Sequence, residues 1–142
     1  MNCVGNENNT EPTFEICNNC SPCKSINKGN FLDVIEVDAA SRTGVDGIRE
    51  IIDAVMYSPN NARFKVYIID EVHMLSNAAF NALLKTLEEP PENVKFIFAT
   101  TEIKKIPATI ISRCQRFDLQ RVDIDTLRTH LSKICESESI KF

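Results

Sequence analysis

Two groups of residues in this sequence have the types and spacing to do chemistry. The first is a set of thiols: Cys17, Cys20 and Cys23 recur at every third position, and Cys3 lies upstream within reach of a returning loop. Four thiolates around one ion make the closed tetrahedral shell that structural zinc prefers, with no open position for a reaction. An iron–sulfur cluster also takes four cysteines, but its bacterial run carries the fourth ligand shortly downstream, before a proline. Lys24 to Gly29 supplies neither. Reduced, unligated thiols are the remaining reading. A redox Cys-x-x-Cys pair is disfavoured, because it normally opens a helix after a thioredoxin-like strand.

The second group begins with Asp70-Glu71-Val72-His73, which follows the apolar run Val66 to Ile69. In an open α/β sheet, ligands gather at the carboxyl ends of strands, where two acids are well placed. An Asp there can hold Mg²⁺, and a following Glu can orient or deprotonate the water that attacks a γ-phosphate. The plain alternative is a pair of solvated acids opening a loop. Thr100-Thr101 ends the next apolar run, from which a hydroxyl can reach the same water or phosphate. Arg113, in Ser112-Arg113-Cys114, sits where a guanidinium can project outwards. Taken alone it reads as a surface salt bridge. His73 reads as a packing residue on the approach to a helix, and His130 as solvent-facing.

The elements that must position these groups follow from hydrophobic period. Residues 1–30 are polar, rich in Asn and Cys and without periodicity, and read as a loop-like module. Asp33 to Asp38 alternates as a strand does. Thr43 can cap a helix carrying Val45, Ile48, Ile52 and Val55. Lys65 to Asp70 has the pattern of a strand buried on both faces. Ser76 can cap a helix with Phe80, Leu83, Leu84 and Leu87 along one side, ended by Glu88-Glu89-Pro90-Pro91. Val94 to Thr100 reads as a third strand, Pro107 opens a short helix, and Arg116 to Leu119 is expected as a fourth strand. Asp123 or Asp125 caps a last helix bearing Leu127, Leu131, Ile134 and Cys135. Met56, Met74, Cys114 and Cys135 are expected in the core. Strands alternating with helices imply an α/β fold with a mostly parallel sheet covered by helices on both faces.

The chain has 142 residues, 43% of them hydrophobic, and a net charge of −4, which fits an ordinary globular domain and argues against a generally basic nucleic-acid binder. No apolar run approaches the ~18–20 residues that span a bilayer, and the start lacks the pattern of a signal peptide. A cytoplasmic location is expected.

Four blocks in order carry a family resemblance: the cysteine module, DAASRTGVDGIREI, FKVYIIDEVHMLSNAAFNALLKTLEEPPENVKFIFATTE, and IPATIISRCQRF. Together they resemble the gamma/tau subunits of bacterial DNA polymerase III, the AAA+ motor of the sliding-clamp loader. The resemblance implies a partial AAA+ parallel sheet flanked by helices at 31–121, an inserted four-cysteine zinc module at 1–30, and the start of a helical lid domain at 122–142. It matches Asp70 and Glu71 to the Walker B acids, for Mg²⁺ and for water activation. Thr101, with Thr100 beside it, matches the sensor that reads the γ-phosphate. Arg113 matches the arginine finger, which reaches the nucleotide of a neighbouring subunit. Cys3, Cys17, Cys20 and Cys23 match the zinc ligands, and Arg42, Thr43 and Lys85 match positions that touch the DNA backbone. Gly44 stands where the family can have a further Lys.

The implied activity is ATP-driven loading of the clamp onto primed DNA. Zinc, ATP and magnesium would be the cofactors. The implied partners are other subunits of a hetero-pentameric loader, the clamp, primed DNA and the polymerase core, in a nucleoid-associated replisome. No Gly-x-x-x-x-Gly-Lys-Ser/Thr occurs, so the chain by itself is expected to bind ATP weakly or not at all, and its open sheet to be poorly soluble. Rival readings are a non-catalytic adaptor like the delta-prime subunit, a DExH-type helicase fragment, and a zinc-held interaction module.

Overall fold

A computed structural model describes residues 1–5, 11–41 and 45–140. Three parallel strands form one sheet in the order β1 (Val34–Asp38), β2 (Lys65–Asp70), β3 (Val94–Phe98). The register sets Asp38 beside Asp70 and Ile69 beside Phe98, so the carboxyl ends of all three strands lie together. β2 is central, and its Val66, Tyr67 and Ile69 are buried, as an apolar run without alternation requires.

Each crossover carries a helix. α2 (Val45–Val55) links β1 to β2, and α3 (Asn77–Glu88) links β2 to β3; the two helices pack against each other. α2 buries Ile48, Ile51 and Val55, with Ile52 packed at the edge of the core. The expected cap, Thr43, lies outside the described residues. Ser76 caps α3 by accepting the Ala79 N–H at 3.2 Å, and Phe80 and Leu83 are buried beneath it. Lys65 is buried at the start of β2, where its Nζ donates to the Ala54 carbonyl at 2.8 Å, near the C-terminal end of α2, which attracts a cation.

Several expectations need correction. Residues 1–30 contain a short helix, α1 (Ser21–Asn27), with a proline in its first turn. β3 stops at Phe98, although the Ala99 N–H still donates to the Ile69 carbonyl. Arg116 to Leu119 is not a strand. No strand runs outside β3 among the described residues to pair with it, Arg116 and Asp118 satisfy each other locally, and Leu119 is 95% exposed. Pro107 does precede a helix, α4 (Ala108–Ile111), which buries Ile110. Asp123, not Asp125, caps α5 (Ile124–Ser137) by accepting the Thr126 N–H.

The apolar side of α5 packs on no described part of the core. Leu127, Leu131 and Ile134 are exposed, and Cys135, half-buried, is outside the core cluster. Cys114 does pack against the core, whereas Met56 and Met74 are exposed. No described helix is long and apolar enough to cross a membrane.

Candidate functional site

The four thiols come together. The Sγ atoms of Cys3, Cys17, Cys20 and Cys23 all lie within 4.8 Å of one another, the one such group of potential metal ligands among the described residues. A tetrahedral ion with bonds of about 2.3 Å needs ligand-to-ligand distances of roughly 3.8 Å, so small adjustments suffice. Cys20 precedes α1 and Cys23 lies within it, which fixes two thiols on one turn. Backbone amides already turn toward sulfur: the Cys17 N–H donates to Cys3 Sγ at 3.4 Å and the Cys20 N–H to Cys17 Sγ at 3.3 Å.

The thiols differ in acidity. The backbone N–H of Cys23 brings Cys20 down to about 6, while burial pushes Cys23 up to about 12. Four thiolates in this space would repel one another, and a cation between them would offset that charge. The cluster is docked on the sheet by Asn2, whose side chain both donates to and accepts from the backbone of Phe64, and by Arg63, which donates to the Cys3 carbonyl. Those contacts lie just before β2. Asp70 ends the same strand, roughly 20 Å away at ~3.3 Å per residue. A metal in the cluster is thus too distant to take part in chemistry at the acid pair.

At the far end, the chain leaves β2 through an abrupt turn. Asp70 is exposed and its Oδ1 accepts the Glu71 N–H at 2.8 Å. Glu71 has φ 46° and ψ 41°, a left-handed conformation that costs a side-chain-bearing residue roughly 1–2 kcal/mol. The next N–H, of Val72, is tied at 3.0 Å to the Ala99 carbonyl beyond β3. The turn sends the Glu71 carboxylate toward the end of β3, where Thr101 Oγ1 lies 3.5 Å from Glu71 Oε2. Asp70, Glu71, Thr100 and Thr101 line an open cavity of about 470 Å³ that continues over Ile97, Ile103 and Phe117.

His73 and Glu102 join this group, and the sequence reading assigned neither of them to it. The His73 side chain is only 8% exposed. Its Nδ1 is 2.9 Å from Thr100 Oγ1 and 3.3 Å from Glu71 Oε2, and its Nε2 is 3.4 Å from Glu102 Oε1. Lys105 donates to the Glu102 carboxylate and holds it below the usual range. The signal for His73 was its offset of two from Glu71; Glu102 directly follows the threonine pair.

Arg113 does not line the cavity. Its guanidinium pairs with Glu88 at the end of α3 and donates to the Thr109 carbonyl at 2.7 Å. The salt bridge read as its plain alternative is therefore present, on the surface. Lys85 is exposed on α3, one turn before Glu88. Arg42 and Thr43 lie outside the described residues.

The chain as a whole is similar to known proteins. The family described as "DNA polymerase III, delta subunit" matches residues 1–123. The DNA polymerase III subunit tau of Bacillus subtilis is 58% identical over 130 residues, which cover 92% of this chain and 23% of that protein. The chain thus spans about a quarter of the length of this relative. A DNA polymerase III gamma subunit-related protein of Thermotoga maritima has a solved structure that overlays with a TM-score of 0.63 at 31% identity, covering 76% of this chain and 38% of that one. The RuvB Holliday junction branch migration motor of Thermotoga maritima overlays with a TM-score of 0.61 at 15% identity over 75% of this chain and 35% of its own, a likeness of fold alone.

Proposed function

The chain belongs to this DNA polymerase III subunit family, with subunit tau among its relatives, and from that premise we propose that it is part of the motor subunit of a clamp loader. In this role ATP binding and hydrolysis drive loading of a sliding clamp onto primed DNA, in concert with other loader subunits and the polymerase core. The observation that carries it is the meeting of Asp70, Glu71, Thr100 and Thr101 around one cavity at the carboxyl ends of neighbouring parallel strands. Two acids and two hydroxyls at such a rim suit a γ-phosphate and its attacking water.

In this assignment Asp70 holds Mg²⁺, which would neutralise charge developing on the phosphates. Glu71 orients the attacking water and accepts its proton. Thr101, already beside Glu71, contacts the γ-phosphate, and Thr100 supports it. Arg113 serves the nucleotide of an adjacent subunit, which accounts for its absence from this chain's own cavity. The phosphate-cradling Gly-Lys loop is not among these 142 residues. Cys3, Cys17, Cys20 and Cys23 hold a structural zinc. Arg42, Thr43 and Lys85 touch DNA phosphates, which position without reading sequence.

The test is a loader whose tau subunit carries this chain in place of the matched segment. Its DNA- and clamp-stimulated ATPase is expected to fall by orders of magnitude with Asp70→Asn or Glu71→Gln. Unchanged ATPase would favour the delta-prime-like adaptor.

A further inference from the structure

We infer that His73 is a positioning residue for the hydrolytic site, one that fastens the Glu71 carboxylate to Thr100 just beyond β3. This rests on the motor function proposed above and assigns that site a residue it lacked. The turn after β2 leaves Glu71 in a left-handed conformation, so its side-chain position is set by its surroundings rather than by a relaxed backbone. Thr101 Oγ1 at 3.5 Å is a long contact and holds the carboxylate only loosely. His73 is the buried group beside it. Its Nδ1 lies between Thr100 Oγ1 at 2.9 Å and Glu71 Oε2 at 3.3 Å, and so joins the two strand ends through one atom.

The rest of the ring is fixed as well. The short 3-10 turn Val72–Met74 carries His73, and buried Val72 and Leu75 anchor it on both sides. Nε2 faces Glu102 Oε1 at 3.4 Å, and Glu102 is itself held by Lys105 at 2.8 Å. The Glu102 N–H donates to Thr100 Oγ1 at 3.0 Å, which closes a ring of contacts among His73, Glu102 and Thr100, to which Glu71 is attached through His73. A phosphate or water that moves Thr100 therefore moves the base through His73. Outer partners of this kind are typically worth about 10–100-fold in activity.

An amide can replace one imidazole nitrogen at a time: Asn places its nitrogen near the Nδ1 position and Gln near the Nε2 position. In the grafted loader described above, comparing only complexes that elute as the full assembly, His73→Ala is expected to lower kcat about 10–100-fold. KM for ATP should stay within roughly twofold, because a group that aims the base does not bind ground-state nucleotide. His73→Asn should recover most of the lost kcat, and His73→Gln should not. Should His73→Ala fail to assemble, the Asn and Gln pair decides. Rescue by Gln rather than Asn, or a kcat untouched by His73→Ala while Glu71→Gln abolishes turnover, overturns the role of His73 and leaves the motor function standing. A loader indifferent to Glu71→Gln as well would remove the motor function itself.

Discussion

Arg113 and Glu88 form an ion pair that joins the segment after α4 to the end of α3 within the same chain. The pair is solvent-accessible, with Arg113 32% and Glu88 50% exposed at the side chain, so it is worth at most about 1 kcal/mol. A phosphate offered by a neighbouring subunit can displace a carboxylate held that weakly. Arg113→Ala is expected to leave thermal stability nearly unchanged and to lower the ATPase of an assembled loader by about 10³-fold or more, the range seen when an arginine is supplied in trans. Glu88→Gln should leave ATPase at or above its starting level. Loss of activity in Glu88→Gln would mean that the intrachain pair, not the free guanidinium, is the working state.

The thiol cluster makes a separate prediction. Purified protein should carry about one equivalent of zinc by elemental analysis, as a shell of four cysteines requires. Cys23→Ser should lose the metal and loosen the segment that Asn2 and Arg63 dock against the start of β2. Less than half an equivalent in freshly purified protein would contradict a structural zinc. Because β2 separates the cluster from Asp70, partial metal loss should lower stability before it alters the KM for ATP of the grafted loader.

Much of the framework was legible because β2 and α3 obey simple rules. An unbroken apolar run ending in acid gave a buried central strand, and Ser76 with Phe80 and Leu83 gave a capped amphipathic helix. Arg116 to Leu119 misled because its alternation fits a strand, yet a strand also needs a neighbour to bond to. Leu127, Leu131 and Ile134 repeat with helical spacing, but spacing does not say what the stripe faces, and in this structure it faces no described core. The carboxylates and threonines could be placed because strand ends converge in a parallel sheet. His73 was missed because its offset of two from Glu71 points to the site only once the left-handed turn at Glu71 is known.

Asp33 shows how a misassigned position gains a different role. It lies just outside β1, 1% exposed, and its carboxylate accepts the backbone N–H groups of Asn60, Asn61 and Ala62 at 2.8, 2.9 and 3.0 Å. Burial works against its charge, but these donors together outweigh it and hold the carboxyl below its ordinary range. A depressed carboxyl contributes stability that is present above its unfolded value, about 3.9, and is lost as pH falls through the folded one. Asp33→Asn should therefore cost about 2–3 kcal/mol at neutral pH, as hydrogen bonds to a buried charge do. The gap should narrow below about pH 4 in urea unfolding. A gap that does not change with pH would mean the carboxylate's charge contributes nothing.

Lys85 carries the DNA-facing part of the proposal that can be tested on a described residue. Lys85→Ala in the loader should weaken primed-DNA binding uniformly across sequences and reduce the salt slope of log K by about 0.9. Sequence-dependent weakening, or an unchanged slope, would place Lys85 off the DNA.

The most direct measurement mixes two defective loaders. One is assembled from subunits carrying Glu71→Gln and the other from subunits carrying Arg113→Ala, and the ATPase of each is compared with that of complexes assembled from both kinds together. If the acids and the arginine serve sites shared between neighbours, mixed complexes contain junctions where an intact Glu71 meets an intact Arg113, and their ATPase rises above both parents. If the mixture is no more active than the better parent, the two residues do not complete one site across a subunit boundary.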